Sequence, residues 1–522
     1  MKKWLLYIVP LLLLLPTFML RDYTPSNELR YVSIVEEALN QGSVFVFYNH
    51  GIPYADKPPL YFWLMMLGRL ISPNHIMLFM GAINLIAMGI ILKVMNKWCF
   101  KEQQVATIAP PMLTLLTAGM FLGTILVLRM DLLMTMFIIL SLYTFYKMYT
   151  GRNSKDDEWL FPVYIFLGIF SKGPIGILIP VLSILLFLFM EGKLRTAGRY
   201  LGLRTWGILL ALCLIWFLGV FLEGGRDYLD NLLFNQTVNR AVDSFHHKQP
   251  FYYYITRFWM TAAPWSIFLF FAFIKGFKEK IVAQDPLLKL FAVIIISSFI
   301  MLSVISSKID IYLVPIYPFI VYFAFVVLNQ YKGGIWIRMA LAIPVLVLLV
   351  TLPALLIGMK NAPFPPKSMF LLLFGGAIMT TGGLLALFRL FKKQINSTVV
   401  ICASSLLLFI FITSFQIPAY NSLLGYETLA DQGKELAKLN KTSRYAFFKV
   451  GRAENMDVYL NNQLVEVDSL SQLSDSLFLP KPYILFVREK DIRRNEELNK
   501  FLDNREHLST GEHSAYIIKE QY

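Results

Sequence analysis

The feature that most constrains this chain is a series of about thirteen apolar runs, most of them about 16 to 23 residues long. A helix of about 20 apolar residues is long enough to cross the hydrocarbon core of a bilayer. The runs lie near these residues: Trp4 to Leu20, His75 to Val94, Val105 to Val127, Leu132 to Tyr149, Trp159 to Phe170, Ile175 to Met190, Trp206 to Leu222, Trp259 to Ile274, Leu288 to Ile305, Ile311 to Leu328, Ile337 to Gly358, Met369 to Phe388 and Val399 to Phe415. The sequence therefore predicts a polytopic, all-helical membrane protein.

The composition agrees with this class and argues against nucleic-acid binding. Hydrophobic residues make up 57% of the 522 and charged residues only 16%, whereas charged residues make up about 25% of a soluble domain. The net charge of +14 is spread in short basic runs between apolar segments, a pattern typical of orientation signals. The three cysteines, Cys99, Cys213 and Cys402, have no CxxC spacing and indicate neither a disulfide framework nor a zinc cluster.

The distribution of Lys and Arg predicts the orientation in the membrane. Basic clusters occur in alternate loops, beginning with Lys2 and Lys3, and cytoplasmic loops are the ones rich in such residues. No small-x-small cleavage site precedes Arg21, so the first run is expected to be an uncleaved helix. The N-terminus is therefore predicted to be cytoplasmic, with the loops of residues 21–74 and 223–258 and the C-terminal region outside.

The first external loop carries most of the polar chemistry in residues 21–60. A loop of this length is uncommon unless it is functional or disordered. Its apolar residues recur at helical spacing, which favours amphipathic helix over disorder; they are Val32, Ile34, Val35 and Leu39. The loop also contains the Asn27-Glu28 pair, Arg30 and the turn from Gly51 to Pro59.

Five cations of the predicted external loops lie beside other polar motifs: Lys57, Arg129, Lys172, Arg240 and Lys308. Ionisable groups at a membrane boundary are costly and tend to mark a functional cavity, although a single cation can also reach the interface from a helix end. Lys and Arg neutralise phosphate oxygens, and carboxylates in a partly dry cleft act as a base or orient a nucleophile. The pattern predicts one external site that binds a phosphate and manages a proton.

A set of motifs in chain order resembles a known family. They are N-E-x-R-Y, G-I-P-Y-x-D-K-P-P-L, R-M-D-L-L-M-T, S-K-G-P, F-N-Q-T-V-N-R followed by P-W-S, and S-x-K-x-x-x-Y-x-x-P-x-x-P. Their order resembles the GT-C glycosyltransferases of the lipid A aminoarabinose transferase (ArnT-like) and protein O-mannosyltransferase group. The resemblance covers roughly residues 1–318.

The resemblance implies an enzyme of the bacterial inner membrane with its site on the extracytoplasmic side. The implied donor is a polyprenyl-phosphate-linked sugar, transferred with inversion to a lipid A-like glycolipid, a protein hydroxyl or a polysaccharide. Lys57, Lys172 and Arg240 fall where the family holds the donor phosphate, and Asp131 matches an aspartate of its second external loop. The remaining expected substrate-binding or supporting residues are Asn27, Arg30, Tyr54, Asp56, Arg129, Lys308 and Tyr312.

Two positions depart from the family pattern. The family has an aspartate-glutamate pair where this chain has Asn27 and Glu28, and some members hold a metal with a histidine where this chain has Asn235. Asparagine is a poor zinc ligand compared with imidazole, so a divalent metal held by Asp56 and Asn235 is left open. An anionic phosphate acceptor needs no base, whereas a hydroxyl acceptor does. The hypothesis is that Glu28 and Asp131 share acceptor activation or orientation.

Beyond about Tyr420 the composition changes to that of a soluble domain. Alternating elements predict a small α/β module. Helices are expected at Thr428 to Leu439 and Glu489 to Leu502, and strands at Tyr445 to Val450, Met456 to Leu460, Leu464 to Val467, Tyr483 to Val487 and Ala515 to Lys519. The predicted domains are residues 1–418 for the membrane bundle and 419–522 for this module, which would cap the site, dock an acceptor or simply stabilise the chain.

Two other functions fit a polytopic chain with charged residues near the membrane. A flippase for lipid-linked sugars would also be polytopic, but such transporters often contain repeated halves, and no internal repeat is seen. An inactive scaffold would follow if Asn27 had replaced a required acid.

Overall fold

The structure is a computed structural model that describes residues 4–100, 105–233, 248–331, 334–358, 366–475 and 477–519. The chain divides into two compact units. The first consists of Met1–Phe18 with Ala55–Ser414, and the second of Met19–Tyr54 with Phe415–Tyr522. The second unit therefore combines an N-terminal segment with the C-terminal region, whereas the sequence predicted a single boundary after residue 418, which stays a prediction.

Helices make up the regular secondary structure of the first unit in its described residues, apart from an isolated bridge between Lys248 and Ser307. Its helices are Leu5–Leu12, Leu15–Leu20 (which runs into the second unit), Leu60–Ile71, Ile76–Cys99, Val105–Leu116, Gly119–Leu126, Asp131–Tyr149, Lys155–Lys172, Ile175–Met190, Leu194–Thr196, Ala197–Tyr200, Leu203–Asp230, Tyr253–Thr261, Ser266–Lys278, Ile281–Gln284, Pro286–Val304, Asp310–Ile316, Tyr317–Gln330, Ile335–Gly358, Pro366–Phe391 and Ile395–Ser414. The Tyr317–Gln330 helix is buried along nearly its whole length and lies in the core of this unit.

The described residues contain eight helices long and apolar enough to cross a membrane, or up to eleven if each bent pair counts as one span. The predicted fold class, a polytopic helical bundle with amphipathic helices in the first external loop and a small C-terminal α/β module, is confirmed. The predicted number of thirteen spans stays a prediction.

Two predicted spans are broken in the structure. The run Val105 to Val127 splits at Ala118, whose backbone is extended, and its two halves meet at 70°. The run Trp259 to Ile274 splits around Pro264, and the helices on either side meet at 117°. Proline has no N–H for the helical ladder and clashes with the preceding turn, which explains the second break.

The predicted external loop of residues 223–258 begins as helix. The Leu203–Asp230 helix continues past a kink at Gly225, whose φ is 71°. A positive φ is readily adopted by glycine alone, so this residue allows the kink.

The second unit combines an amphipathic helix, a short hairpin and a five-stranded sheet. A π-helical turn at Pro25–Leu29 leads into the Arg30–Gln41 helix, and the hairpin pairs Tyr48–Asn49 with Ile52–Pro53. The sheet order is Leu464–Val467, Tyr445–Phe448, Tyr483–Arg488, His513–Ile518 and His507–Thr510. The first three strands pair with one another in parallel. The fourth strand is antiparallel to both of its neighbours, the third and the fifth. The helices of the C-terminal part are Ile417–Tyr420, Asn421–Leu424, Glu427–Leu439, Ala453–Met456, Asp457–Leu460, Leu470–Ser474, Glu489–Arg494 and Glu496–Leu502.

The prediction of a strand at Met456 to Leu460 is wrong, because this segment forms a helical turn. The Asp457 carboxylate accepts a hydrogen bond from the Val458 N–H at 2.8 Å. Asn461 ends the turn in the left-handed conformation, with φ at 51°, a role for which asparagine is well suited. The strand His507–Thr510 was not predicted, because its residues alternate too weakly to be distinguished from a loop.

Asp22 joins the two segments of the second unit. Its buried carboxylate accepts hydrogen bonds from the Tyr459 hydroxyl at 2.5 Å and from the Glu427 N–H at 2.8 Å. Asn421 adds a bond from its amide to the Leu20 carbonyl at 3.0 Å. Burial raises the pKa of Asp22, although its hydrogen bonds act in the opposite direction. These contacts explain why residues 19–54 pack with the C-terminal region.

Candidate active site

Asp131 and Lys172 form a buried ion pair between two helix ends. Asp131 is the first residue of the Asp131–Tyr149 helix, and Lys172 is the last residue of the Lys155–Lys172 helix. The Asp131 carboxylate contacts the Lys172 ammonium through Oδ1 and the Arg129 Nε through Oδ2, the latter at 3.3 Å. Each charge also lies at the helix end that stabilises it. The side chains of Asp131 and Lys172 are 0% and 5% exposed.

The turn after Lys172 fixes the direction of this lysine. Gly173 has a φ of 104°, a backbone conformation that favours glycine, and Pro174 follows directly before the Ile175–Met190 helix. The two helices are closely packed here, because Gly176 lies against the backbone of Gly168. The S-K-G-P motif therefore forms a tight helical hairpin with the lysine at its tip.

A cavity of about 290 Å³ brings together four residues that the sequence analysis named in three separate motifs. Asp56 and Lys57 come from the turn before Pro58, Lys172 comes from the hairpin, and Tyr312 also lines the cavity. The Lys172 ammonium lies 4.8 Å from the centre of the Tyr312 ring, a cation–π distance. Asp131 and Arg129 do not line this cavity and connect to it through Lys172.

The rest of the cavity lining is largely apolar. The larger apolar side chains are Ile169, Ile175, Leu178, Trp216, Phe217, Leu232, Leu233 and Ile305. A lining of this kind, with cations on one part and apolar groups on another, fits a ligand with an anionic head and a hydrocarbon tail.

A clamp that the sequence did not predict holds the segment carrying Tyr312. The Arg257 guanidinium donates to both oxygens of Asp310, with Nε to Oδ1 at 2.9 Å and Nη2 to Oδ2 at 2.5 Å. The Tyr253 hydroxyl donates to Asp310 Oδ1 at 2.7 Å. Asp310 begins the short helix Asp310–Ile316, which contains Tyr312. Tyr253 and Arg257 are four residues apart on one helix, and this spacing was the signal available in the sequence.

Lys308 occupies a different place from the other predicted cations. Its ammonium donates to the Gln249 carbonyl at 2.9 Å, and its side chain lines a separate apolar cleft with Phe251 and Ile300. The structure therefore does not bring Lys308 into the lining of the cavity that contains Lys57 and Lys172.

The predicted site residues between positions 27 and 54 belong to the second unit. Glu28 is 1% exposed and accepts hydrogen bonds from the Arg21 guanidinium at 2.5 and 2.6 Å. It also accepts from the backbone N–H and the hydroxyl of Thr24, both at 2.8 Å. These bonds hold the turn that begins at Pro25. The pairing of Glu28 with Arg21 was not predicted.

Arg30 and Tyr54 contact each other in the second unit. The Arg30 guanidinium lies 5.2 Å from the centre of the Tyr54 ring and 5.8 Å from that of Tyr31. Asn27 is partly exposed on the Pro25–Leu29 turn.

Arg240 and Asn235 lie outside the described residues. Within the residues that the structure describes, no three His, Cys, Asp or Glu side chains lie close enough to hold a metal ion together. Asp56 lines the cavity, but the described residues around it do not form a metal centre.

Comparison with protein families and curated proteins gives consistent matches. A family model described as dolichyl-phosphate-mannose-protein mannosyltransferase matches residues 56–216, a range that includes Lys57, Asp131 and Lys172. An uncharacterised protein of Aquifex aeolicus is 26% identical over 61% of this chain and 62% of its own length. An undecaprenyl phosphate-alpha-4-amino-4-deoxy-L-arabinose arabinosyl transferase of Pseudomonas fluorescens is 23% identical over 55% of this chain and 49% of its own length. The chain thus spans between 45% and 62% of the length of these curated relatives.

Comparison with solved structures supports the fold over nearly the whole chain. ArnT from Cupriavidus metallidurans bound to undecaprenyl phosphate matches with a TM-score of 0.74 at 15% identity, covering 98% of this chain and 97% of that chain. The apo form of the same protein matches with a TM-score of 0.69 at 17% identity, with the same coverage. The resemblance predicted from the sequence is confirmed, and the fold of this chain is the GT-C fold of ArnT.

Proposed function

We propose that this protein is an integral-membrane glycosyltransferase that moves a sugar from a polyprenyl-phosphate donor to an extracytoplasmic acceptor. The observation that carries the proposal is the cavity in which Lys57 and Lys172 stand together in a largely apolar lining. Two ammonium groups neutralise a phosphate, and the apolar part accepts the first prenyl units. The names of the curated relatives and the undecaprenyl phosphate bound to the solved ArnT support the same donor class.

The proposed reaction is a displacement at the anomeric carbon. An acceptor oxygen attacks this carbon from the face opposite the phosphate, the bond from carbon to phosphate oxygen breaks, and the polyprenyl phosphate leaves with the electron pair. The configuration is thereby inverted. Lys57 and Lys172, with Arg240 by resemblance, stabilise the negative charge that grows on the leaving phosphate.

The contacts of Asp131 favour a positioning role in this reaction. Its two oxygens hold Lys172 and Arg129, so Asp131 would fix the direction of a phosphate-binding lysine rather than take a proton. Asp56 is a carboxylate in the cavity lining, so a hydroxyl acceptor would find its base there. A phosphate acceptor would need no base. The contacts of Glu28 favour a supporting role in the turn of Pro25–Leu29.

The acceptor is a lipid A-like glycolipid or a protein hydroxyl in this proposal, and the sugar is a pentose or hexose. The protein would lie in the bacterial inner membrane, with a cytoplasmic N-terminus and with the cavity and the C-terminal region on the extracytoplasmic side. The alternation of basic clusters along the chain supports this orientation.

The experiment is a transfer assay with the full chain in liposomes and radiolabelled polyprenyl-phosphate sugar. Wild-type protein should release polyprenyl phosphate and label an added envelope-lipid or peptide acceptor, and Lys57→Ala should lose this activity. Lys280→Ala, which removes an exposed cation away from the cavity, is the matched control and should be fully active. Movement of intact donor across the bilayer would instead identify a flippase, and the absence of both movement and cleavage would leave a scaffold; either result overturns the proposal.

A further inference from the structure

The second unit contains an open polar cavity of about 570 Å³ that the proposed transfer reaction does not use. One wall is the last part of the Arg30–Gln41 helix. The other walls are His50 from the short hairpin and the turn that follows Asp457. Nine of the ten lining residues are polar or charged, and Val458 is the apolar one. A cavity of this size holds a sugar unit or two, and its lining residues are mostly hydrophilic.

Carboxamide side chains supply about half of this lining: Asn40, Gln41, Asn461, Asn462 and Gln463. Each carboxamide offers both a donor and an acceptor in one plane, which matches the donor and acceptor character of a sugar hydroxyl. The Asn462 amide also donates to the Ser443 carbonyl at 2.6 Å, which anchors the turn.

The charged groups of the cavity are mainly acidic. Glu36, Glu37 and Asp457 stand against a single imidazole, that of His50. Glu37 is a fixed part of the wall, because its carboxylate accepts hydrogen bonds from two backbone N–H groups, that of His50 at 2.7 Å and that of Gly51 at 3.0 Å. The Asp457 carboxylate accepts from the Ser33 hydroxyl at 3.1 Å and lies 3.8 Å from His50 Nε2, with 23% of its side chain exposed.

This charge balance selects among ligands that carry hydroxyl groups. A cleft lined by one sign of charge concentrates ligands of the opposite sign and repels those of the same sign. A phosphate or a uronic acid is therefore disfavoured. A neutral sugar fits the amides, and a sugar with a protonated amine fits both the amides and the carboxylates.

We propose that this cavity is a saccharide-binding site specific for an amine-bearing sugar, with Asp457 as the residue that recognises the amine. The site goes beyond the proposed transfer reaction, because binding here requires neither a polyprenyl-phosphate donor nor bond cleavage. Asn40 and Gln463 bind the hydroxyl groups, and Glu37 keeps the His50 wall in place.

The test is saturation-transfer difference NMR on the full chain in phosphatidylcholine nanodiscs, which avoid the sugar heads of maltoside detergents. The probes are glucosamine, glucose and glucuronate, which have the same ring type but differ in charge. Glucosamine should bind roughly fivefold more tightly than glucose, the upper range of one partly exposed ion pair, and glucuronate should give no signal. Equal binding of glucuronate and glucosamine would overturn the proposal.

Two variants and a control assign the binding to this cavity. Asn40→Trp places a large ring on an exposed helix position that lines the cavity and should abolish the signals of both sugars. Asp457→Asn should reduce glucosamine binding to the level of glucose and leave glucose unchanged. Glu435→Gln removes an exposed carboxylate elsewhere in the same unit and should change nothing. Retained binding in the folded Asn40→Trp variant would contradict the site, and this result would leave the transfer assay unaffected.

Discussion

Asp131 of the first unit and Glu28 of the second are carboxylates in similar settings with different connections. Both are almost fully buried, and both contact an arginine. Asp131 also holds Lys172, which lines the cavity that contains Lys57. Glu28 instead bonds to the backbone and hydroxyl of Thr24 within its own turn. Burial and an ion pair therefore do not identify a catalytic acid. The contacts of the residue that pairs with the acid are more informative.

The largest expected effect is that of Asp131→Asn on transfer. Loss of the carboxylate leaves Lys172 buried beside Arg129 without the charge that positions it, so transfer should fall by about 10²- to 10³-fold. Breaking a buried pair on one side should also cost about 3–5 kcal/mol of stability. The measurements are transfer in liposomes and thermal unfolding in the same preparation.

A double variant separates these two effects. Asp131→Asn combined with Lys172→Met removes both charges, and neutral replacement of a buried pair is often tolerated, so stability should recover while transfer stays at background. Recovery of transfer in the double variant would show that neither charge is needed and would end the proposed role of Lys172.

Glu28→Gln should have the opposite profile. The amide keeps one oxygen for Thr24 but removes the negative charge opposite Arg21, and we expect a loss of about 2–4 kcal/mol in the stability of the second unit. Transfer per folded molecule should stay within about threefold of wild type, because the carboxylate is used within its own turn. A 100-fold fall in transfer at unchanged stability would identify Glu28 as catalytic and would remove its distinction from Asp131.

The contrast also shows how much of the site could be predicted from the sequence. Lys57 and Lys172 were predicted to share a site from their charge beside polar motifs, and the family resemblance added Asp56 and Tyr312; these four residues line one cavity. Their chemistry is encoded locally, in turns fixed by Gly and Pro. The contact of Asp22 with Tyr459 could not be predicted, because the two residues are 437 positions apart and meet only through tertiary packing. Arg21 and Glu28 are only seven positions apart, but their spacing fits no regular helix or strand pairing, so this partner was missed as well.

The fold shows the same division between local and long-range information. Apolar length predicted the helices, since crossing a bilayer demands it. It did not predict the breaks near Ala118 and Pro264, because a hydropathy average does not show where the backbone hydrogen bonds of a helix are interrupted. The packing of residues 19–54 with the C-terminal region was missed for a related reason, as sequence distance gives no sign of contact.

A smaller effect is expected from the clamp on Asp310. Asp310→Asn retains one acceptor but loses the two-oxygen contact with Arg257, which should loosen the short helix that carries Tyr312. Transfer should fall by about tenfold through kcat, since a misplaced group near the reacting atoms costs rate before it costs binding. Asp230→Asn, which removes one partner of an exposed pair with Arg226, is the control and should stay within about twofold. An unchanged rate in Asp310→Asn would remove the clamp from the site.

The smallest expected effect concerns pH and the stability of the second unit. Burial raises the pKa of Asp457, although His50 and the Ser33 hydroxyl act to lower it. The folded state therefore holds this proton more tightly than the unfolded state, so the stability it contributes is present below about pH 4 and is lost as the pH rises through the folded pKa.

Asp457→Asn never ionises, and its amide can still accept from the Val458 N–H. The variant should match wild type near pH 4 and melt about 1–2 °C higher near pH 8. If wild type were as stable as the variant at pH 8, ionised Asp457 would not lower the folding stability. A measurable loss of stability is expected of a carboxylate that is retained for ligand binding rather than for folding.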